Sequence, residues 1–141
     1  MTDRLLVPFS ESKYIVCSST LFLYPAYLAY SRELYIHSMV LLFTSLIAIN
    51  YWRNATDCWR RHLDLFWAKA TFVIYGTYGI YYIRNPYALY IFCQNIYWMG
   101  YFYNTACQHH DRNEKKWIIY HILFHLFATY DLNLAINALP V

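Results

Sequence analysis

Charge is distributed along this chain in a way that leaves few folds open. No charged residue lies between Lys13 and Arg32, a run of 18 residues, or between Glu33 and Arg53, a run of 19. From Arg84 to Asp111 a run of 26 residues is free of charge. The stretch between Lys69 and Arg84 is also clean, and after Lys116 only Asp131 interrupts the chain. A helix that crosses about 30 Å of hydrocarbon needs roughly 20 mostly apolar residues, with about 17 as the lower limit. The spacing therefore predicts five spans: Tyr14–Tyr30, Leu34–Trp52, Leu65–Ile83, Pro86–Tyr103 and Trp117–Ala138. A transmembrane barrel would instead show short segments of alternating polarity.

Composition supports the same class. Charged residues make up 13% of the chain, about half the usual share in soluble domains. Seventeen Tyr hold the mean hydropathy down, but Tyr is well suited to membrane interfaces. The expectation is an all-α, polytopic membrane protein: a single domain over 1–141, built as a bundle of about five transmembrane helices. Nucleic acid is a poor partner for so few scattered charges; the lipid bilayer is the expected one. Pro86 suits a helix start, and Pro25, inside the first span, should kink it. The links Ser31–Glu33 and Arg84–Asn85 predict tight helical hairpins. No small-x-small cleavage site follows the first apolar stretch, which argues against a removed signal peptide.

Counting basic residues sets an orientation. The N-terminus, the second link and the fourth link together carry Arg4, Lys13, Arg53, Arg60, Arg61, Arg112, Lys115 and Lys116. The other side carries only Arg32 and Arg84. The N-terminus is expected in the cytoplasm and the C-terminus across the membrane. All five Trp fall toward the basic side, as an aromatic belt would require. The sequon at Asn54 is then cytoplasmic and unused.

Ionisable groups at membrane depth need a reason. His121 and His125 are four apart on one helix face, about 6 and 12 Å below Trp117 at 1.5 Å per residue. Asp64 lies at the entrance of the third span, and Ser45 about 10 Å from the same side on the second. Two neutral imidazoles at this spacing can share a cation, a carboxylate can support them, and a hydroxyl can hold a metal-bound water. The competing reading is structural: His side chains bridge helices, and Asp64 pairs with Arg60 or Arg61. A second set, Cys58 with His62 and Cys107 with His109 and His110, offers a two-loop zinc site. Lys69 is expected to snorkel to the interface. The hydroxyl-rich Cys17-Ser18-Ser19-Thr20 has no evident base at its depth. No phosphate loop, dinucleotide fingerprint or serine-hydrolase elbow is present.

An early Ser, an Asp at a helix start and H-x-x-x-H on the last helix resemble the CREST superfamily, which includes alkaline ceramidases and adiponectin-receptor relatives. The resemblance implies zinc held by His121 and His125, with Asp64 as the acid and Ser45 as the hydroxyl. It also implies seven helices and a third His one turn after the Ser, where this chain has Ile49. The sequence thus favours a small multi-pass membrane protein with a structural or interaction role. The alternative is a metal-dependent intramembrane hydrolase of a lipid amide or ester. The third reading is a proton or ion pathway through His121, His125, Asp131 and Lys69.

Overall fold

The computed structural model of the chain describes residues 4–140; residues 1–3 and 141 of the expected domain lie outside them. The described residues form helices, and the only β pairing among them is an isolated bridge. The all-α expectation holds. The first rod is α1 (Phe9–Ser19), a 3-10 turn (Thr20–Phe22) and α2 (Leu23–Ser31) in succession. The break in this rod is the turn at Thr20–Phe22, upstream of Pro25, which lies within α2. The Ser18 and Ser19 hydroxyls both lie within hydrogen-bond distance of the Ile15 carbonyl, and Thr20 donates to Cys17, competing with the helical ladder.

Four more rods follow: α3 (Tyr35–Trp52), α4 (Trp59–Tyr82), α5 (Pro86–Asp111) and α6 (Trp117–Ala138). Helices α4 and α5 run beyond the expected spans at their basic ends. His62, Cys107, His109 and His110, read as loop residues from sequence, are therefore helical. The start of α5 is built as expected. Pro86 occupies the first turn, and the Asn85 side chain accepts from the Tyr87 and Ala88 amides.

The links sort to two ends. At one end a strap at the N-terminus docks on the α3–α4 loop: Leu6 donates to the Ala55 carbonyl and Asp57 to that of Arg4. Lys115 of the α5–α6 loop approaches Glu11 at the same end. At the far end Arg32 donates to the carbonyls of Ile136 and Leu139, tying the α2–α3 link to the end of α6. Two apolar clusters mark these ends. Val7, Ile15, Tyr51, Ala55 and Trp117 pack at the basic end. Phe22, Leu41, Tyr75, Ile83, Phe92, Leu132 and Ile136 belong to the larger cluster toward the far end.

Among the described residues only α3 is long and apolar enough, by length and composition, to cross a membrane. In the first rod the 3-10 turn leaves helices of only 11 and 9 residues; in the other rods Tyr, Asn, Gln and His dilute the aliphatic residues. The expectation of five rods stands, and among the described residues one of the five meets the length and composition of a membrane span.

Helix α5 packs chiefly along α6 and far less against α4. At Gly79 of α4 an added Cβ would overlap the Phe92 ring of α5. Gly76, by contrast, has open space where a Cβ would project. The close approach of these helices is therefore made at Gly79, and Gly76 lies where they have parted.

Candidate functional site

Between the two apolar clusters lies a cavity of about 730 Å³. That volume is in the range of small-molecule sites, which run from about 300 to 1,000 Å³. Its wall takes Thr44, Ala48 and Tyr51 from α3, and Phe124, Ala128 and Leu132 from α6. Several lining residues are also exposed on the outer surface: Lys69, Phe72 and Val73 of α4, and Gly100 and Tyr103 of α5. The cavity thus reaches the outside through a slit between α4 and α5. Phe92 over Gly79 closes that slit toward the hairpin.

Asp64, His121 and His125, expected together from sequence, all line this cavity. Asp64 sits in the second turn of α4 rather than at its start. It has no ion-pair or hydrogen-bond partner among the described residues. The pairing weighed for it goes elsewhere: Arg61 binds Asp57 at 3.0 Å, and Arg60 turns to the Asn54 carbonyl, Thr56 and Cys58. Burial pushes the Asp64 carboxyl up to about 7. The rings of His121 and His125 lie 4.8 Å apart by centroid. Trp52 stands edge-on to His121 at 5.0 Å.

Ser45 is not part of this wall. It is fully buried, and its hydroxyl donates to the Ser19 carbonyl at 2.9 Å, bolting α3 to the first rod. One residue along the helix turns the face by about 100°, so its neighbour Thr44 lines the cavity instead. Thr44 accepts from the Trp67 indole at 3.0 Å and stands 3.4 Å from Thr71. Trp67 therefore points into the bundle rather than joining an interfacial belt.

Ser18, for which the sequence shows no evident base, meets one in the folded chain. The Ser18 hydroxyl lies 2.7 Å from Nδ1 of the buried His125. Phe22 packs edge-on against the same imidazole at 5.1 Å. A signal was available: Ser18 and His125 lie in the basic halves of the first and last rods, so their depths match.

The zinc set implied by the superfamily resemblance does not fit this donor arrangement. Ser45 is committed to a backbone carbonyl, and Ile49 stands where the third His is implied. No three His, Cys, Asp or Glu residues converge closely enough to hold a metal among the described residues. The two-loop alternative is likewise not assembled. The Cys58 thiol accepts from Thr56 and Arg60, which hold it down at about 7.

No family model, curated protein or solved structure matches the chain.

Proposed function

We propose that the chain is an integral membrane bundle that takes a lipid-like molecule into its interior through the slit between α4 and α5. The observation that carries this reading is the cavity of about 730 Å³, at whose lips the apolar and aromatic side chains of Phe72, Val73 and Tyr103 are exposed beside Lys69. Apolar walls with a few unpartnered polar groups suit one hydrophobic ligand with a polar portion. A water-facing protein of this size would not keep such lips bare.

The placement of polar residues supports the membrane. Ser18, Ser19, Thr44, Ser45, Thr71, His125 and Asp131 are buried, whereas Ile36, Phe66, Val73, Ile80 and Ile119 face outward. Ile36 is 79% exposed and Phe66 68%. In hydrocarbon the usual preference relaxes on the outside, and polar side chains serve as contacts between helices. The basic end gathers eight of the eleven Lys and Arg, which supports a cytoplasmic N-terminus.

The far-end apolar cluster also separates this reading from a conduction path. Leu132, Ile136 and Phe92 fill the bundle between the cavity and the α4–α5 hairpin. Packed apolar side chains at this end support holding a ligand over passing ions.

Mass spectrometry of the protein released from membranes tests the proposal. The parent should retain one lipid-sized molecule, and Gly76→Trp, which fills open space, should lose it while staying folded. A parent that is free of lipid, or a variant that retains the same equivalent, would leave a purely structural membrane bundle.

A further inference from the structure

The deep end of the cavity holds a group that the proposed function does not yet use. Asp131 is 4% exposed and lines the cavity. Its Oδ1 accepts from the Asn95 side-chain amide at 2.9 Å. Its Oδ2 is buried and has no partner. No Lys or Arg pairs with it among the described residues. A buried carboxyl oxygen without a donor is unusual in folded proteins and calls for a specific cause.

Two neighbours sharpen the case. Thr129 Oγ1 and Asn133 Oδ1 are also buried without partners. Neither of those residues lines the cavity, so of the three only Asp131 stands at its wall. Asn95 holds the other oxygen as an acceptor, which fixes the carboxyl plane. Along α6, Asp131 lies about 21 Å from Trp117 at 1.5 Å per residue. His121 and His125 lie between them on the same cavity wall.

Resting on the reading of the cavity as a lipid site, we infer that Asp131, oriented by Asn95, recognises a hydrogen-bond donor on the ligand, a hydroxyl or an ammonium. The donor completes the carboxyl at the deep end, and the hydrocarbon runs from there toward Trp117. With the carboxyl ionised, a ligand offering only acceptor atoms leaves Oδ2 unsatisfied and is discriminated against, so the preference is read at a pH above its titration.

Displacement of a fluorescent hydrophobic probe from the full-length protein in detergent provides the test. The competitors are a long-chain primary alcohol, its methyl ether, the methyl ketone of equal length and the corresponding alkylamine. The alcohol should compete at least about tenfold better than the ether or the ketone, a difference of about 1.4 kcal/mol. An amine that outcompetes the alcohol would identify an ionic form of the same contact. Asp131→Leu should erase the preference and leave the ether's affinity unchanged. If that variant does not fold, Asn95→Ala should reduce the preference by freeing the carboxyl plane. Equal competition by alcohol and ether in the parent, or a preference that survives both substitutions, overturns the inference while the cavity reading stands. Failure of every competitor to displace the probe instead counts against the cavity reading itself.

Discussion

The hydroxyl of Ser18 lies 2.7 Å from Nδ1 of His125, joining the first and last rods across 107 positions of sequence. The same hydroxyl lies 3.1 Å from the Ile15 carbonyl. Two arrangements satisfy these distances. Either Ser18 donates to Nδ1, or it donates to Ile15 and receives the Nδ1 proton. In both, Ser18 fixes the ring so that Nε2 is the nitrogen left for the cavity.

Removing that hydroxyl should be felt. Ser18→Ala strands a buried imidazole nitrogen, at a cost of about 1–3 kcal/mol. Thermal unfolding in detergent should show a clear loss for Ser18→Ala. Ser19→Ala removes only a bond to a helical carbonyl and should cost less. Equal and small effects of the two changes would mean that the contact with His125 does not hold in solution.

The α4–α5 contact gives a second comparison. A methyl at Gly79 meets the Phe92 ring, whereas one at Gly76 meets nothing within 4 Å. Gly79→Ala should therefore lower the melting temperature more than Gly76→Ala. Shrinking the ring should relieve it, so Gly79→Ala with Phe92→Leu should be less destabilising than the sum of the two. Strict additivity would mean that the helices do not meet there.

The hairpin itself was legible in the sequence, because Arg84-Asn85-Pro86 carries both a stop and a helix start. The five rods were legible for the same kind of reason, as charge marks their ends. Which glycine makes the contact was not, since Gly76 and Gly79 lie almost one turn apart and only the divergence of α4 from α5 distinguishes them. Ser45 and Thr44 pose the same problem. Adjacent hydroxyls differ by about 100° around the helix, and depth arithmetic carries no rotation. The four-residue spacing of His121 and His125 does carry rotation, and both line the cavity together with Asp64, whose direction the sequence left open.

Asp64 carries a pH dependence. Burial raises its carboxyl from 3.8 to about 7 in the folded chain. The folded state then binds a proton that the unfolded state has released, so stability is fullest below about 4 and falls as pH rises toward 7. Asp64→Asn should flatten the stability profile across that window. An Asp64-dependent rise with pH there would show that Asp64 is ionised and paired when folded, and a profile unchanged by the substitution would show that its carboxyl is not shifted by folding.

Topology follows from the arrangement of the links. The N-terminal strap, the α3–α4 loop and the α5–α6 loop share the basic end, so the two termini should lie on opposite sides. Tags on the two ends should differ in protease access in sealed vesicles, and Asn54 should carry no glycan. Tags with equal access, or an occupied Asn54, would contradict the orientation.

Photolabelling in the membrane tests the central claim most directly. A phospholipid with a diazirine near the end of its chain is incorporated into vesicles with the parent protein, irradiated, and the adducts are mapped by mass spectrometry. Entry through the slit predicts adducts on Phe72 at the lip and on Phe124 and Ala128 of the cavity wall, with the inner ones lost in Gly76→Trp. Adducts confined to the outer faces, at residues such as Ile80 and Ile119, would show that the bundle sits in lipid without admitting it. Absence of adducts altogether would contradict the membrane assignment.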